Sequence, residues 1–311
     1  MDRKAIEQIG TQYLGSAPLE IIRKTIGMCN EVYELRYETE SVILRMNKEK
    51  EWLYGTHRFL PLFHKLQINT PVILHEDYSK TVFPFCFQLQ SKLQGQDLLL
   101  VFKELTATQL KEIAKEVSLV FDKFNTLPAS TDFGLMTGLN EEHQESLLDG
   151  FAGHTKTIQE RNAASQVIDQ EIITIRQALL DKYKAYFLSV QPRIYYDDIC
   201  SKNVMIHNGK FNGLVDLDFL IKGDYLEAIG RMIADWYGDD KGATYIHEII
   251  KNQGLDQQQQ EIVVVYAIFN LVLWLSEEGI RFNSNSSGEI NWDRVEQKRH
   301  KIMELYHSLQ S

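Results

Sequence analysis

Three oxygen-bearing side chains, Asp198, Asn203 and Asp216, lie within the stretch 193–224 of the chain. Phosphoryl transfer from a nucleotide uses groups of this kind. One carboxylate takes or orients the acceptor hydroxyl, and two hard oxygen ligands hold Mg²⁺. The separation of five positions between Asp198 and Asn203 predicts that both side chains lie on one tight loop after the apolar segment 194–196. The stretch therefore indicates phosphate chemistry as well as a local fold.

A predicted β-hairpin indicates which of these groups can meet. Apolar runs at 204–206 and 211–217 flank an Asn-Gly pair, which favours a type I′ turn because that turn needs positive φ at both central residues. A hairpin returns its second strand beside the first. Asp216, expected to close the second strand, should therefore lie next to Asn203, and the two are predicted metal ligands.

Two adjacent aspartates precede the loop, and only one is expected to face the site. Neighbouring side chains in an extended segment point to opposite sides, and the spacing to Asn203 selects Asp198 as the catalytic carboxylate. Asp197 is then expected to be solvated or bonded to nearby backbone. Asp218, two residues after Asp216, either supports a second metal contact or is an exposed carboxylate, and its position leaves both open.

Composition narrows the possible partners. The 311-residue chain has a net charge of −10, which disfavours nucleic acid or an anionic membrane surface as the main partner. Residues 193–240 carry nine acidic and five basic side chains, a field that suits metal ions and cationic substrates or serves only solubility.

Three scattered cysteines without a CxxC pair favour a reducing compartment. The longest apolar run, 262–275, is too short to span a bilayer. We therefore expect a cytoplasmic protein.

The pattern of apolar residues changes along the chain. Helical spacing predicts a first helix at 2–14, and strand-like runs at 32–37 and 41–46 predict a hairpin around a polar turn. A helix is expected at 48–60, broken near Pro61. Two further strands are predicted at 71–74 and 83–89. Helical spacing then prevails, most clearly at 106–125, and only the hairpin after Asn203 interrupts it. The predicted fold class is α+β with two lobes, a small β-rich N-terminal lobe at 1–92 and a larger, mostly helical lobe at 93–311.

The central motif resembles that of the aminoglycoside phosphotransferase and choline kinase-like superfamily, small-molecule kinases with a protein-kinase-like fold. Their signature is approximately H-G-D-x-x-x-x-N, a hairpin, then I-D-F/W. Here Tyr-Asp-Asp stands at 196–198, followed by Asn203 and by Val-Asp-Leu at 215–217. The resemblance implies that Asp198 is the catalytic base and that Asn203 and Asp216 bind Mg²⁺. A Tyr replaces the usual His, and Asp197 replaces a Gly.

The N-terminal region is similar to the same family's nucleotide lobe. Residues 27–33 resemble its nucleotide-covering loop and strand, G-G-x-x-N-x-V/T-Y, through Gly27 and Asn30. Arg45 stands where the family has a basic residue that reaches the nucleotide phosphates. Its helical carboxylate partner would be Glu49 or Glu51. Spacing does not decide between them, and we favour Glu51.

The segment 85–97 resembles the family's strand and hinge, which implies that the adenine contacts backbone around Ser91 to Leu93. The resemblance as a whole implies an ATP- or GTP-dependent, Mg²⁺-requiring kinase acting on a small-molecule hydroxyl. The acidic second lobe favours a cationic acceptor, such as an aminoglycoside or an amino alcohol. The replaced His and the single-glycine loop motivate the alternative, a catalytically silent nucleotide-binding module. No sequence feature indicates the oligomeric state.

Overall fold

A five-stranded antiparallel sheet dominates the first part of the computed structural model, which describes residues 3–27, 29–236, 238–283, 285 and 287–310. Its strands are β1 Glu20–Lys24, β2 Glu31–Arg36, β3 Ser41–Asn47, β4 Ile73–Asp77 and β5 Cys86–Ser91, in the spatial order β1-β2-β3-β5-β4. The predicted hairpin is β2–β3, with Glu31 opposite Met46 and Arg36 opposite Ser41. Because side chains alternate along a strand, the sheet has an apolar face and a second face that carries Arg45.

Helix α1, Arg3–Leu14, covers the apolar face. Its Ile6 and Ile9 are buried in one cluster with Leu35, Leu44 and Phe87 from three strands. This cluster is separate from the core of the rest of the protein.

Helix α2, Glu51–Lys65, runs through Pro61, so the predicted break at this proline is wrong. Phe59 and Phe63, on either side of the proline, are buried in the main core with residues of the second lobe. Burial of each phenylalanine contributes about 1.5–3 kcal/mol. Proline inside a helix costs about 3 kcal/mol. Tertiary packing therefore outweighs the local preference.

The second lobe is mostly helical. Its helices are α3 Leu98–Val101, α4 Ala107–Asn125, α5 Leu147–Ser165, α6 Gln170–Lys182, α7 Lys184–Ser189, α8 Leu226–Trp236, α9 Asp240–Asn252, α10 Gln257–Ser276 and α11 Trp292–Ser308, with a 3-10 helix at Phe102–Glu104. The prediction of an α+β, two-lobed fold is confirmed. The division between residues 92 and 93 remains a prediction, and the last strand of the large sheet ends at Ser91.

Two small sheets interrupt these helices. The predicted hairpin, β9 Val204–His207 with β10 Lys210–Leu214, joins β6 Gln96–Asp97 in the order β10-β9-β6. A second sheet, β7-β11-β8, consists of Gly134–Met136, Leu220–Gly223 and Arg193–Tyr195. The expectation of a single interrupting hairpin is therefore wrong. The four extra strands have two to four residues each, too few for a period of two to be recognised.

Helix α10 forms the centre of the second lobe. Among the described residues it is the one helix that is long and apolar enough to cross a membrane by length and composition. Of its most apolar window, 67% is buried inside the protein, which is the pattern of a core helix. Asp256 and Gln259 form a capping box at its first turn.

Candidate active site

The loop after β8 brings Asp198 and Asn203 into direct contact, as the spacing predicts. Asn203 Nδ2 donates to Asp198 Oδ2 at 2.7 Å and to the Asp198 carbonyl at 2.8 Å. The backbone N–H of Asn203 also donates to the Cys200 carbonyl at 3.0 Å, which closes the turn. Since the amide nitrogen faces Asp198, Asn203 Oδ1 points away from it.

The β9–β10 hairpin returns Asp216 to the side of Asn203. Asn208 and Gly209 at its tip have φ of 51° and 72°, the positive values that a type I′ turn needs. The Val215 N–H donates to the Asn203 carbonyl at 3.0 Å. The strand ends at Leu214, so Asp216 follows the hairpin and does not close it, and its φ is 64°. Aspartate adopts this left-handed conformation more readily than most residues.

Tyr196 holds Asp216 in that conformation. It is 1% exposed, and its hydroxyl lies 2.9 Å from the Val215 carbonyl and 3.1 Å from the Asp216 carbonyl. Its ring packs edge-on against Phe63 at 5.5 Å between centroids. Burial raises the pKa of Tyr196 well above its ordinary value, so the hydroxyl stays a donor. The residue in the histidine position thus braces the loop by packing and a single hydroxyl.

Arg45 links the large sheet to two carboxylates of the second lobe. Its Nη2 donates to Asp216 Oδ1 at 2.6 Å and to Asp218 Oδ2. Its Nη1 donates to Asp218 Oδ1 at 3.3 Å and to Thr56 Oγ1 at 2.9 Å. The guanidinium fork therefore binds Asp218 with both arms and Asp216 with one.

The predicted helical partner of Arg45 is therefore wrong. Glu51 Oε1 accepts from Asn140 Nδ2 at 3.2 Å and lies 3.5 Å from Thr137 Oγ1, both in the second lobe. Glu49 pairs with Lys80 at 3.5 Å. Any contact of Glu51 with nucleotide remains a prediction.

Asp218 takes the place expected for the helical carboxylate. It is 2% exposed, so the reading as an exposed carboxylate is wrong. Besides Arg45, it accepts from Thr56 N at 3.2 Å, Thr56 Oγ1 at 2.7 Å and Asn30 Nδ2 at 3.2 Å. Burial raises the pKa of Asp218 despite Arg45. Burial also opposes ionisation of Asp216, yet Arg45 and Lys202 lower its pKa. The buried carboxylate anchors Arg45, and Asp216 stays charged.

Gly55 permits this arrangement. A Cβ at position 55 would lie 1.8 Å from the Asp218 carbonyl oxygen, so α2 can approach Asp218 only because this residue has no side chain.

We expect Gly55→Ala to lower the free energy of unfolding by about 1–3 kcal/mol, because the methyl group forces α2 away from Asp218. The matched control is Gly153→Ala in α5, where nothing beyond the neighbouring residues and the helix's own backbone lies within 4 Å of the point that a Cβ would occupy. That change should raise stability by about 0.5–1 kcal/mol. Thermal unfolding measures both. Equal stability of the two variants would contradict the close contact between α2 and Asp218.

The predicted nucleotide loop is held by protein contacts. Asn30 is 5% exposed. Its Nδ2 donates to the Trp52 carbonyl at 2.9 Å and to Asp218, and its Oδ1 accepts from Asn47. The Gly27 carbonyl accepts from Asn285 Nδ2 at 2.6 Å. Met28, which belongs to the same predicted loop, lies outside the described residues. Contact of Gly27 or Asn30 with nucleotide stays a prediction.

The predicted hinge offers free backbone groups. Ser91 is engaged with Val72, since its N–H donates to the Val72 carbonyl and its Oγ accepts from Val72 N, both at 2.9 Å. Within the described ranges, the backbone N–H and carbonyl of Leu93 make no hydrogen bond to protein. A planar base lying against Leu93 could use both groups.

Arg231 of α8 is a site residue that the sequence did not indicate. Its Nη1 donates to Asp198 Oδ1 at 3.2 Å, and its Nη2 lies 3.3 Å from Asp197 Oδ2. Asp197 is 8% exposed, so solvation, one of the two alternatives expected for it, is wrong. Burial raises the pKa of Asp197 to about 6, although Arg231 opposes the shift. Lys202 Nζ lies 3.6 Å from Asp198 Oδ2.

A cavity of about 1070 Å³ opens beside Asp198. Gly27 of the first lobe, the catalytic loop and the segment after α10 line it. Its described lining holds six acidic and four basic side chains. Three of the acidic ones, Asp235, Glu289 and Asp293, have no basic partner among the described residues. The aromatic side chains Trp274, Phe282 and Trp292 also line it. An acidic, aromatic lining of this kind suits a cationic small molecule.

Comparison with protein families establishes where the chain belongs. The sequence model described as "APH: Phosphotransferase enzyme family" matches residues 24–261, which include the hairpin and all three central side chains. The chain belongs to this phosphotransferase family. The resemblance of the central motif to aminoglycoside phosphotransferases is thereby confirmed, and the general chemistry of the family is phosphoryl transfer. A search of the curated proteins found no match.

Solved structures of aminoglycoside phosphotransferases share the fold of this family member. A thermostable mutant of APH(4)-Ia in ternary complex with AMP-PNP and hygromycin B superposes with a TM-score of 0.74 at 15% identity, covering 98% of both chains. The GDP complex of an aminoglycoside 2'-phosphotransferase-IIIa mutant gives 0.71 at 15% identity, covering 98% of this chain and 96% of that one. ADP-bound APH(2'')-Ib gives 0.64 at 12% identity, covering 98% and 99%.

Proposed function

We propose that this phosphotransferase uses ATP or GTP with Mg²⁺ to phosphorylate a hydroxyl group of a cationic small molecule, with an aminoglycoside-like or amino alcohol-like acceptor. The observation that carries the proposal is the position of Asp198. Its carboxylate lines the large cavity and is bound by Asn203, the residue beside Asp216. An acceptor in the cavity and a nucleotide held near Asp216 would therefore meet at Asp198.

The nucleotide donor is proposed to lie between the lobes, along the sheet face that carries Arg45. The free backbone groups of Leu93 suit the base. The Arg45 guanidinium is bound to Thr56, Asp216 and Asp218, so it would reach the phosphates by exchanging one of these partners. The complexes of related folds with AMP-PNP, ADP and GDP support a nucleotide donor for this chain.

The residues at the proposed metal site fit Mg²⁺. Asn203 is 3% exposed, and its Oδ1 has no partner among the described residues. Asp216 Oδ1 is bound by Arg45, which leaves Oδ2 available. Hard oxygen atoms of this type are the ligands that Mg²⁺ prefers. The described residues contain no group of three or more His, Cys, Asp or Glu that could hold a metal alone, so phosphates and waters would complete the shell. The metal ion would neutralise charge on the nucleotide phosphates.

Asp198 is proposed to orient the acceptor hydroxyl and take its proton. Asn203 holds one carboxylate oxygen and Arg231 the other, which fixes the plane of the group while leaving it at the cavity wall. Phosphoryl transfer has a loose transition state, so positioning and charge neutralisation supply most of the catalysis. Lys202, whose pKa is raised chiefly by Asp198, remains a cation beside the reacting groups.

We expect the double variant Glu289→Gln/Asp293→Asn to raise the KM for a cationic acceptor about 3- to 10-fold, with less effect at high salt. The KM for nucleotide should not change, because neither carboxylate touches the proposed nucleotide site. Glu112→Gln/Glu171→Gln removes the same charge from exposed positions on α4 and α6 and serves as the control. Equal effects of the two double variants would contradict recognition of the acceptor by the cavity.

An ADP-release screen tests the proposed function. Purified protein with ATP or GTP and Mg²⁺ is offered aminoglycosides, macrolides, choline-like alcohols, homoserine and sugars. Acceptor-dependent release of nucleoside diphosphate is the expected result. Nucleotide binding in a thermal-shift assay without turnover of any acceptor would favour the silent nucleotide-binding module. A cytoplasmic location, and the absence of nucleic acid or membrane partners, remain part of the proposal.

A further inference from the structure

A chain of buried polar groups runs along β5 towards the hinge. Gln90 Nε2 donates to Gln88 Oε1 at 2.9 Å. Gln88 Nε2 donates to the Leu53 carbonyl at 3.0 Å and to the Tyr78 hydroxyl at 2.6 Å. The Tyr78 hydroxyl donates in turn to Glu76 Oε2 at 2.7 Å. Gln88 is fully buried, and Gln90 is 4% exposed.

The donors and acceptors of this series of hydrogen bonds can be assigned in only one way. A backbone carbonyl can only accept, so the contact with Leu53 requires that Gln88 present its nitrogen there. The Tyr78 hydroxyl donates its proton to Glu76, so towards Gln88 it can only accept, and it accepts from the same Gln88 Nε2. Gln88 Oε1 is then left facing Gln90, which must present Nε2 to it. Gln90 Oε1 consequently points away from the chain, and no described group donates to it.

Gln90 Oε1 lies on the sheet face of the proposed nucleotide site. Gln88 is opposite Arg45 in the β3–β5 ladder, and Gln90 is opposite Ile43. Residues paired across a ladder, and residues two apart along a strand, share one face. Gln90 is therefore about 7 Å further along this face than the Arg45–Gln88 pair. It directly precedes Ser91, where the hinge with its free Leu93 backbone begins.

We propose that Gln90 selects the base of the donor nucleotide. Its Oε1 accepts a hydrogen bond from the 6-amino group of adenine, which makes the donor ATP and disfavours GTP. Guanine carries a carbonyl oxygen at the same position, so two acceptors would face each other. Rotation of the Gln90 amide does not relieve this, because it would set Gln90 Oε1 against Gln88 Oε1. The inference rests on the proposed function, since it requires a nucleotide between the lobes.

Calorimetric titration of Mg²⁺-nucleoside diphosphates tests the inference without requiring an acceptor. The probes are ADP, GDP and purine riboside 5'-diphosphate, which differs from ADP only by lacking the 6-amino group. Wild-type protein is expected to bind ADP about 10-fold more tightly than GDP. Gln90→Leu should weaken ADP binding about 3- to 10-fold, the effect of one net hydrogen bond, and leave purine riboside diphosphate unchanged.

Two further variants separate the hydrogen bond from packing. Gln258→Leu makes the same chemical change at an exposed position on α10 and should leave all three affinities unchanged. Gln88→Leu removes the group that orients Gln90, and should reduce the ratio of ADP to GDP affinity although Gln90 is still present.

Equal losses for ADP and purine riboside diphosphate in Gln90→Leu would overturn the inference, as would tighter binding of GDP than ADP to the wild type. Either result leaves the proposed kinase function intact. Failure of folded wild-type protein to bind any of the three nucleotides would contradict the proposed function itself, and the inference with it.

Discussion

Asp198→Ala is expected to reduce turnover by about 10²–10⁴-fold, the usual contribution of a positioned proton acceptor, while nucleotide affinity changes little. The carboxylate lies at the wall of the acceptor cavity and makes its contacts with Asn203, Arg231 and Lys202 of the second lobe. The nucleotide is proposed to lie against the other lobe, along Arg45. Loss of the carboxylate therefore removes proton acceptance and leaves the nucleotide contacts in place. Steady-state kinetics together with ADP titration measures the two quantities separately.

Two companion variants show whether the loss of turnover comes from the carboxylate charge of Asp198. Asp198→Asn keeps the size of the side chain and an acceptor for Arg231, so a similar loss of turnover would assign the effect to the carboxylate charge. Asp122→Ala removes an exposed aspartate of α4 and should retain full activity. Wild-type turnover in Asp198→Ala, with an unchanged circular dichroism spectrum, would refute the catalytic assignment.

Asp216→Asn is expected to abolish the Mg²⁺ dependence of nucleotide binding. The substitution removes the charge of a proposed metal ligand, and one neutral amide oxygen is a much weaker partner for Mg²⁺ than a carboxylate. Asparagine is the informative choice because φ at this position is 64°. Asparagine, like aspartate, adopts the left-handed region more readily than alanine does, so the backbone held by Tyr196 is retained. Asp216→Ala would combine loss of the ligand with backbone strain.

Titration of ADP with and without Mg²⁺ measures this effect. In the wild type, Mg²⁺ should strengthen binding, and in Asp216→Asn the two affinities should be equal. Tyr196→Phe provides a graded comparison, because it keeps the carboxylate and removes the hydroxyl bonded to the Val215 and Asp216 carbonyls. Its Mg²⁺ dependence should be weakened but present. A wild-type Mg²⁺ response in Asp216→Asn would exclude Asp216 as a metal ligand.

Much of the site could be predicted because its parts are close together in the chain. A short loop holds Asp198 and Asn203, and a two-residue turn with the Asn-Gly pair sets the return of Asp216. Such contacts depend on backbone geometry that local residue types determine. The β2–β3 hairpin and α4 were predictable for the same reason, since periodicity and turn chemistry act over a few residues.

The errors arose where distant residues compete for one position. The family resemblance implies a partner for Arg45 on the helix after β3, at Glu49 or Glu51. In the folded protein, Asp218 comes 173 positions later and occupies that place, since Gly55 lets α2 pack directly against it. Arg231 reaches Asp197 and Asp198 across 33 or more positions, and no spacing rule connects them. Likewise, Pro61 remains helical because Phe59 and Phe63 are buried on both sides of it.

The order of residues in the chain was enough to specify the chemical groups of the site: a carboxylate and an amide on one loop, a second carboxylate returned by a hairpin, and an arginine on a strand. Local backbone preferences and a period of two or 3.6 residues suffice for that. Which charges pair became evident only in the folded protein, where Arg45 is bound to Asp218 and Asp197 is buried against Arg231. Ion pairs and buried amides depend on which surfaces pack together, and that packing is settled by the whole core and not by the neighbours in the chain.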